Sequence, residues 1–504
     1  MSAISVRSGS VTSRLRENSK RVSHDDHLPS KSAAALISRL FGYTVMRMQK
    51  STVISPVMRK LSTYIAQAPR KALPAKVVER AKHHLLDTIA AMVSGAPLLP
   101  GRRAIEYVSA LGGIAEASIA GTAVVSSASN AALANGMLAH ADETDDAYYL
   151  ALVHPGCSVV PAALAMAERN HSDGSALLRA IVLGYDICAR MSKTLGIERF
   201  RSSGHSTHSY GGTFGAAAAA GALARINATQ ARYLLSYAAQ QASGLSCWAR
   251  DVEHIEKAFD FGGMPARNGV TAATMVASGF TGVDDVFAGD RGFFHAHERY
   301  AQPDLLVHGL GKEFDIMQTA IKRWPVGYPI QAPLDALSNL MRAHTVGVHD
   351  IEELIITLDE QGARTVSGRL MADINIQHLS ALMLLDGEIT FASSHDSQRV
   401  RDPAILKLRE RIKLVGSHAL TRTKTTQAIV EIKTRSGGRL RHHTKAVYGS
   451  ATNPMLRVDV AAKARGLLAP VLGPQRAERL IRAIWEIERT PDVRRLRRLW
   501  SAAQ

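Results

Sequence analysis

Apolar residues along much of the chain recur at the spacing of one helical face. From Pro74, the positions Val77, Val78, Ala81, Leu85, Ile89 and Met92 fall on a single stripe, and Gly95 ends the run. The same patterning predicts helices over 127–139, 159–169, 175–195, 212–223 and 228–243, joined by loops rich in Gly, Pro, His and Asp. After Lys322 the period changes. Residues 351–358 form a strand-like, apolar-rich run, interrupted by Glu352, Glu353 and Thr357. Residues 427–434 alternate, with Ala428, Val430 and Ile432 on one side and Glu431 and Lys433 on the other. The Gly437-Gly438 pair then turns the chain into a second strand over 439–447. Helical stretches over 334–343 and 376–385 lie between these strands, and helical patterning returns from Asn453 to the end.

The expected fold is therefore mostly α: a large all-helical domain carrying an inserted, smaller α+β domain. Residues 53–319 and 449–504 form the helical domain, and 320–448 the α+β domain. Residues 1–52 read as a disordered basic extension, or as a start placed too early, with a mitochondrial presequence as the lesser alternative. There is no internal repeat.

Composition supports helices over sheets. Aromatics make up only 5% of the chain, whereas alanine is abundant and runs unbroken from Ala216 to Ala220. The three cysteines, Cys157, Cys188 and Cys247, are scattered and odd in number, which excludes a disulfide scaffold and a zinc knuckle. A reducing, cytoplasmic setting fits. The net charge of +17 raises the question of nucleic acid. Much of the excess sits at the ends, in Arg7, Arg14, Arg16, Lys20 and Arg21 and again in Arg494, Arg495, Arg497 and Arg498. No zinc-finger, RNP-like or helix-turn-helix pattern accompanies it, so a basic surface that draws anionic substrates is the reading adopted. No apolar run reaches membrane-spanning length. Neither nucleic acid nor membrane is expected as a partner.

Four polar clusters could carry chemistry. The first runs from Asn135 through His140, Asp142, Glu143, Asp145 and Asp146 to His154-Pro155. Acids between two histidines suit acid/base work or a hard cation, and equally a solvated loop that caps the next helix. The second, His205 to Gly215 with His208 inside it, leads glycines into an Ala-rich helix. It offers N–H groups to an anion, yet it is no dinucleotide fingerprint, because no strand precedes it. The third spans Lys257 to Gly269 and includes Arg267. The fourth is Lys322-Arg323-Trp324-Pro325, followed by Gly327, Tyr328 and Gln331. Each of the last two sets a cation beside Gly or Pro, which suits a carboxylate pocket as well as plain surface.

Taken in order, these landmarks resemble the MmgE/PrpD family, which includes 2-methylcitrate dehydratase and cis-aconitate decarboxylase. The matching stretches are Leu85 to Thr88, Asn135-Gly136 with His140, Asp145-Asp146, His154-Pro155, Gly184-Tyr185 and Gly212 to Ala217. Further on come Gln241 to Gly244, Lys257, Gly279 to Gly282, Lys322-Arg323 with Pro325, and Leu384 to Gly387. The likeness extends over residues 53 to about 490. It implies a homodimer, a site between the two domains, and no metal or organic cofactor.

The resemblance also implies a lyase acting on a small di- or tricarboxylate by proton abstraction next to a carboxylate. It assigns His154 to acid/base work, and Lys257 and Lys322 to carboxylate binding or charge stabilisation. His205 stands for the family's histidine before the Gly-rich helix, with His208 competing one turn away. Glu143 and Asp145 join the catalytic set. Asp146, His208, Arg323, Gln241 and Arg267 are the expected substrate contacts. Where the decarboxylases have Asp-Phe-Asp-Asp-Thr, this chain has Glu143-Thr144-Asp145-Asp146-Ala147. Where they carry a histidine soon after the proline, it has Gly327 and Tyr328, leaving Tyr328 as a proton donor. That departure favours dehydration over decarboxylation. An isomerase or epimerase, or a non-catalytic anion binder, remains an alternative.

Overall fold

Small residues set how the helices of the larger body approach. The computed structural model describes residues 53–423 and 425–501, so the expectation for 1–52 lies outside the described residues. The Thr207–Leu223 helix is buried almost throughout and packs against Gly174–Thr194, Pro155–Arg169 and Met264–Ala277. A Cβ on Gly215 would stand 2.7 Å from the carbonyl oxygen of Gly184, so the crossing of two of these helices depends on glycine at both positions. Helix starts are fixed by side chains: Ser127 accepts from the Asn130 N–H, Asp173 accepts from that of Ala176, and Asn227 forms a capping box with Gln230.

Two predicted helices begin earlier than their apolar pattern. The 159–169 segment starts at Pro155, and the 212–223 segment at Thr207. Proline suits the first helical position, and the Asp146 carboxylate accepts the Gly156 N–H at 2.9 Å, so a polar first turn is held by a distant acid. As a consequence His154 and His208 sit at helix starts, not in loose loops.

The strands behave as their alternation predicts. Ile351–Asp359 pairs antiparallel with Ala428–Thr434, which pairs antiparallel with Arg439–Thr444 across a turn whose Gly437 has φ +86°. A fourth strand, Ile412–Ser417, adds parallel to the free edge of Ile351–Asp359. It escaped the sequence reading because an edge strand with a single buried position has little apolar alternation.

Among the described residues there are two large hydrophobic cores and a small cluster of Ala147, Ala320 and Tyr328. One gathers residues from Met58 to Ile321 together with Met455 to Trp500; the other holds Trp324 to Val447. The protein is thus mostly α with small mixed sheets. Among the described residues, no helix is long and apolar enough to cross a membrane.

Candidate active site

The acidic loop between the Ala128–Ala139 and Pro155–Arg169 helices is buried, and each of its four acids has its own partners. Asp142 accepts from the Thr144 N–H at 3.0 Å and lies 3.1 Å from His395 Nε2. Glu143 meets the ammonium groups of both Lys257 and Lys322, the latter at 3.2 Å from Oε2. Asp145 takes His154 Nδ1 at 3.1 Å, His140 Nδ1 at 3.0 Å and Lys322 Nζ at 3.5 Å. Asp146 accepts from the Tyr185 hydroxyl at 2.6 Å and pairs with His84 Nδ1 at 2.7 Å.

Lys257 reaches Glu143 because two backbones touch. A Cβ on Gly262 would lie 2.1 Å from the carbonyl oxygen of Gly136, and one on Gly136 only 2.4 Å from that of Gly262. This contact seats the turn carrying Lys257 and Phe261 against the helix that ends at His140. A π-helical turn, Phe259–Gly263, follows Lys257, and the preceding His254 adopts a left-handed backbone at φ +63°. Phe261 stacks on His208 at 3.7 Å between ring centroids and on His140 at 4.4 Å. Lys257 Nζ lies 5.3 Å from the Phe261 ring and 5.4 Å from that of Trp248.

These groups open onto a cavity with about 140 Å³ of room for water-sized groups. Glu143, His154, His208, Lys257 and Tyr328 line it, with Trp248, Phe261, Tyr149, Val366 and Ile374 as apolar walls. Both cores contribute. Lys322 is only 1% exposed and stands behind Glu143 as a buried counter-charge.

Charge within the site is largely balanced. Burial alone would raise the Glu143 carboxyl, but Lys257 and Lys322 outweigh it and hold the group well below the usual range. Burial likewise opposes ionisation of Asp145, and His140, His154 and Lys322 overcome it. Lys322 is pushed down by burial and up by Glu143 and Asp145, ending above its ordinary value. Burial drives His208 and His254 well below the usual histidine range, so both rings are neutral near pH 7. Burial raises the Tyr328 phenol, which therefore keeps its proton. With Nδ1 of His154 donating to Asp145, its Nε2 is left to exchange a proton, the orienting role a carboxylate plays in catalytic triads.

Metal-ligand geometry also occurs here. His140, Glu143 and His254 offer donor atoms within 4.8 Å of one another, as do His140, Asp145 and His154. Two ammonium groups already occupy Glu143, so a dication there would face like charge at short range. The donor set fits a proton-transfer site better than a metal centre.

Seven residues expected at the site do not line this cavity: Asp145 and Lys322 stand directly behind its lining, on His154 and Glu143, and five others lie apart from it. His205 stacks on Phe200 at 4.5 Å and faces His297, leaving the site to His208. Asp146 is enclosed by Tyr185, His84 and the Gly156 N–H, which makes it a fastening for the loop. The Gln241 amide donates to the carbonyls of Tyr237 at 3.1 Å and Asn268 at 3.3 Å. Arg267 is turned to Asn268, with Nε 3.2 Å from its Oδ1. Arg323 faces Asp335 at 3.6 Å, in a different cleft. Each offered the right chemistry in sequence, but local helix geometry or a nearer partner took it elsewhere. Conversely, Arg201, Trp248 and Arg369 line the cavity without any motif in the sequence to mark them.

Residues 59–306 match the MmgE/PrpD N-terminal domain and residues 324–488 the MmgE/PrpD C-terminal domain. The chain belongs to the MmgE/PrpD family. Among characterised relatives it is 23% identical to a cis-aconitate decarboxylase-like protein, oryM, of Aspergillus oryzae, over 90% of this chain and 98% of that one. It is 24% identical to the human cis-aconitate decarboxylase over 83% of this chain and 89% of that enzyme. A cis-aconitate decarboxylase of Aspergillus terreus is 20% identical over 88% and 95% of the two chains.

Proposed function

We propose that this protein is a lyase for a small di- or tricarboxylic acid, with His154 exchanging a proton at the carbon next to a carboxylate. The observation that carries this reading is the His154–Asp145 pair, 3.1 Å apart, on the cavity that also receives Lys257 and Glu143. In a dehydration, Nε2 of His154 takes the proton, the C–O bond on the neighbouring carbon breaks, and Tyr328 protonates the departing hydroxyl. Lys257 and the neutral His208 stabilise the carboxylate on which negative charge builds. The region 320–448 acts as the movable side of the cleft.

Decarboxylation is the second reading, favoured by the names of the relatives. There the C–C bond to a carboxylate breaks, carbon dioxide leaves, and His154 in its charged form protonates the carbon. The residue before Tyr328 argues against it: the resemblance read from the sequence implies a histidine for decarboxylation where this chain has Gly327, and a Cβ there would meet Ile374 Cγ2 at 2.9 Å. The test is a proton NMR time course with citrate, 2-methylcitrate, cis-aconitate and itaconate. Alkene signals growing from the hydroxy acids support dehydration; itaconate growing from cis-aconitate supports decarboxylation. A protein inert toward every acid, yet folded, would sink both.

A further inference from the structure

Both lysines of the site already face acids of the protein, so Lys257 alone does not balance the charge of an acid with two or three carboxylates. Lys257 and Lys322 are matched by Glu143 and Asp145, and His208 and His254 are neutral. The unmatched positive charge is elsewhere in the lining. Arg201, from the short Ile197–Ser202 helix, is half-buried and lines the cavity. Among the described residues its guanidinium has no hydrogen-bond or ion-pair partner, and burial pulls it below its ordinary value while Glu198 acts only at longer range. Arg369, from the region of the second core, also lines the cavity. Its guanidinium donates to the carbonyl of Ala249 at 2.9 Å, across the cleft, and meets no carboxylate among the described residues. A half-buried cation without a counter-charge is costly unless an anion arrives to complete it.

We infer that Arg201 and Arg369 form a second anion subsite, which binds the substrate carboxylates remote from His154 and so selects acids with two or three carboxylates over monocarboxylates. The inference rests on the proposed lyase reading. A planar guanidinium matches a carboxylate in a way a lysine point charge does not, and one arginine from each side lets a polyacid bridge the cleft. The Lys257 end then handles the reacting carbon while the arginines hold the far carboxylates in place.

The experiment is calorimetric titration with propane-1,2,3-tricarboxylate, which has neither hydroxyl nor double bond and so cannot react, alongside butyrate. Wild type should bind the triacid and barely bind butyrate. Arg201→Gln and Arg369→Gln should each weaken the triacid roughly tenfold or more, with Arg201→Lys recovering part of the loss. Thermal melts establish that each variant is folded; if Arg369→Gln unfolds, the Arg201 pair decides alone. Triacid binding by Arg201→Gln equal to wild type overturns the subsite while leaving the lyase reading standing. No binding of any polyacid by wild type overturns both.

Discussion

Lys322 Nζ lies 2.8 Å from the backbone oxygen of Glu143 and 3.2 Å from its Oε2, while Lys257 meets the other carboxylate oxygen. One buried acid thus joins the segment that begins the second core to the turn that carries Lys257. The two lysines differ in what they touch: Lys322 faces only protein, whereas Lys257 also faces the cavity. Lys322→Ala should therefore act on stability, costing about 3 kcal/mol, because it takes one ammonium from both Glu143 and Asp145 and leaves the buried Glu143 carbonyl without its donor. Lys257→Ala leaves Lys322 on Glu143 and should lose activity with a smaller loss of stability. Urea titrations of both variants check this; equal destabilisation would contradict it.

The two histidines at the start of the Thr207–Leu223 helix should separate cleanly. His208→Gln removes a cavity group and is expected to lower kcat by about 10²-fold. His205→Gln should stay within about threefold, as expected of a substitution outside the reacting groups. Steady-state rates on whichever acid turns over decide between them, and the reverse order would relocate the site.

Gly262→Ala should be severe. Its methyl would collide with the Gly136 carbonyl, at a cost of about 1–3 kcal/mol or more, and would tilt Lys257 away from Glu143. Gly466→Ala is the matched contrast, since nothing lies within 4 Å of a Cβ there and the position is inside a helix. It should gain about 1 kcal/mol. Melting temperatures moving in the same direction for both would contradict the packing account.

His395 ties the region of the second core to Asp142 and should give the fold an alkaline limit. Burial lowers this imidazole, but Asp142, the Phe391 carbonyl and Asp373 raise it to about 9. The folded value exceeds the ordinary histidine value of 6.5, so the pair stabilises fully below that pH and its contribution is lost as pH rises through about 9. Wild type should be more stable than His395→Asn at pH 6 and lose that advantage by pH 10. A difference constant with pH would remove the ion pair from the account.

The helical body and three strands of the four-stranded sheet were legible in sequence, as were Glu143, His154, His208, Lys257 and Tyr328 of the cavity lining, because apolar period and polar clusters survive into structure. Side-chain direction was not. His205 lies just before the Thr207–Leu223 helix and His208 in its first turn, three positions on, yet only His208 reaches the cavity. Arg323 follows Lys322 directly and points into another cleft. Arg201 and Arg369 are 168 positions apart and meet one cavity through tertiary folding alone, so no local pattern could announce them.

The central claim is that Nε2 of His154, oriented by Asp145, moves a proton at the carbon next to a carboxylate. It is tested most directly by incubating the protein in deuterated buffer with the acid that turns over and reading deuterium at that carbon by NMR. Wild type should place or exchange deuterium there, and His154→Asn, with the fold intact and Lys257 in place, should slow this by about 10²- to 10⁴-fold. Incorporation by His154→Asn at the wild-type rate would contradict the assignment.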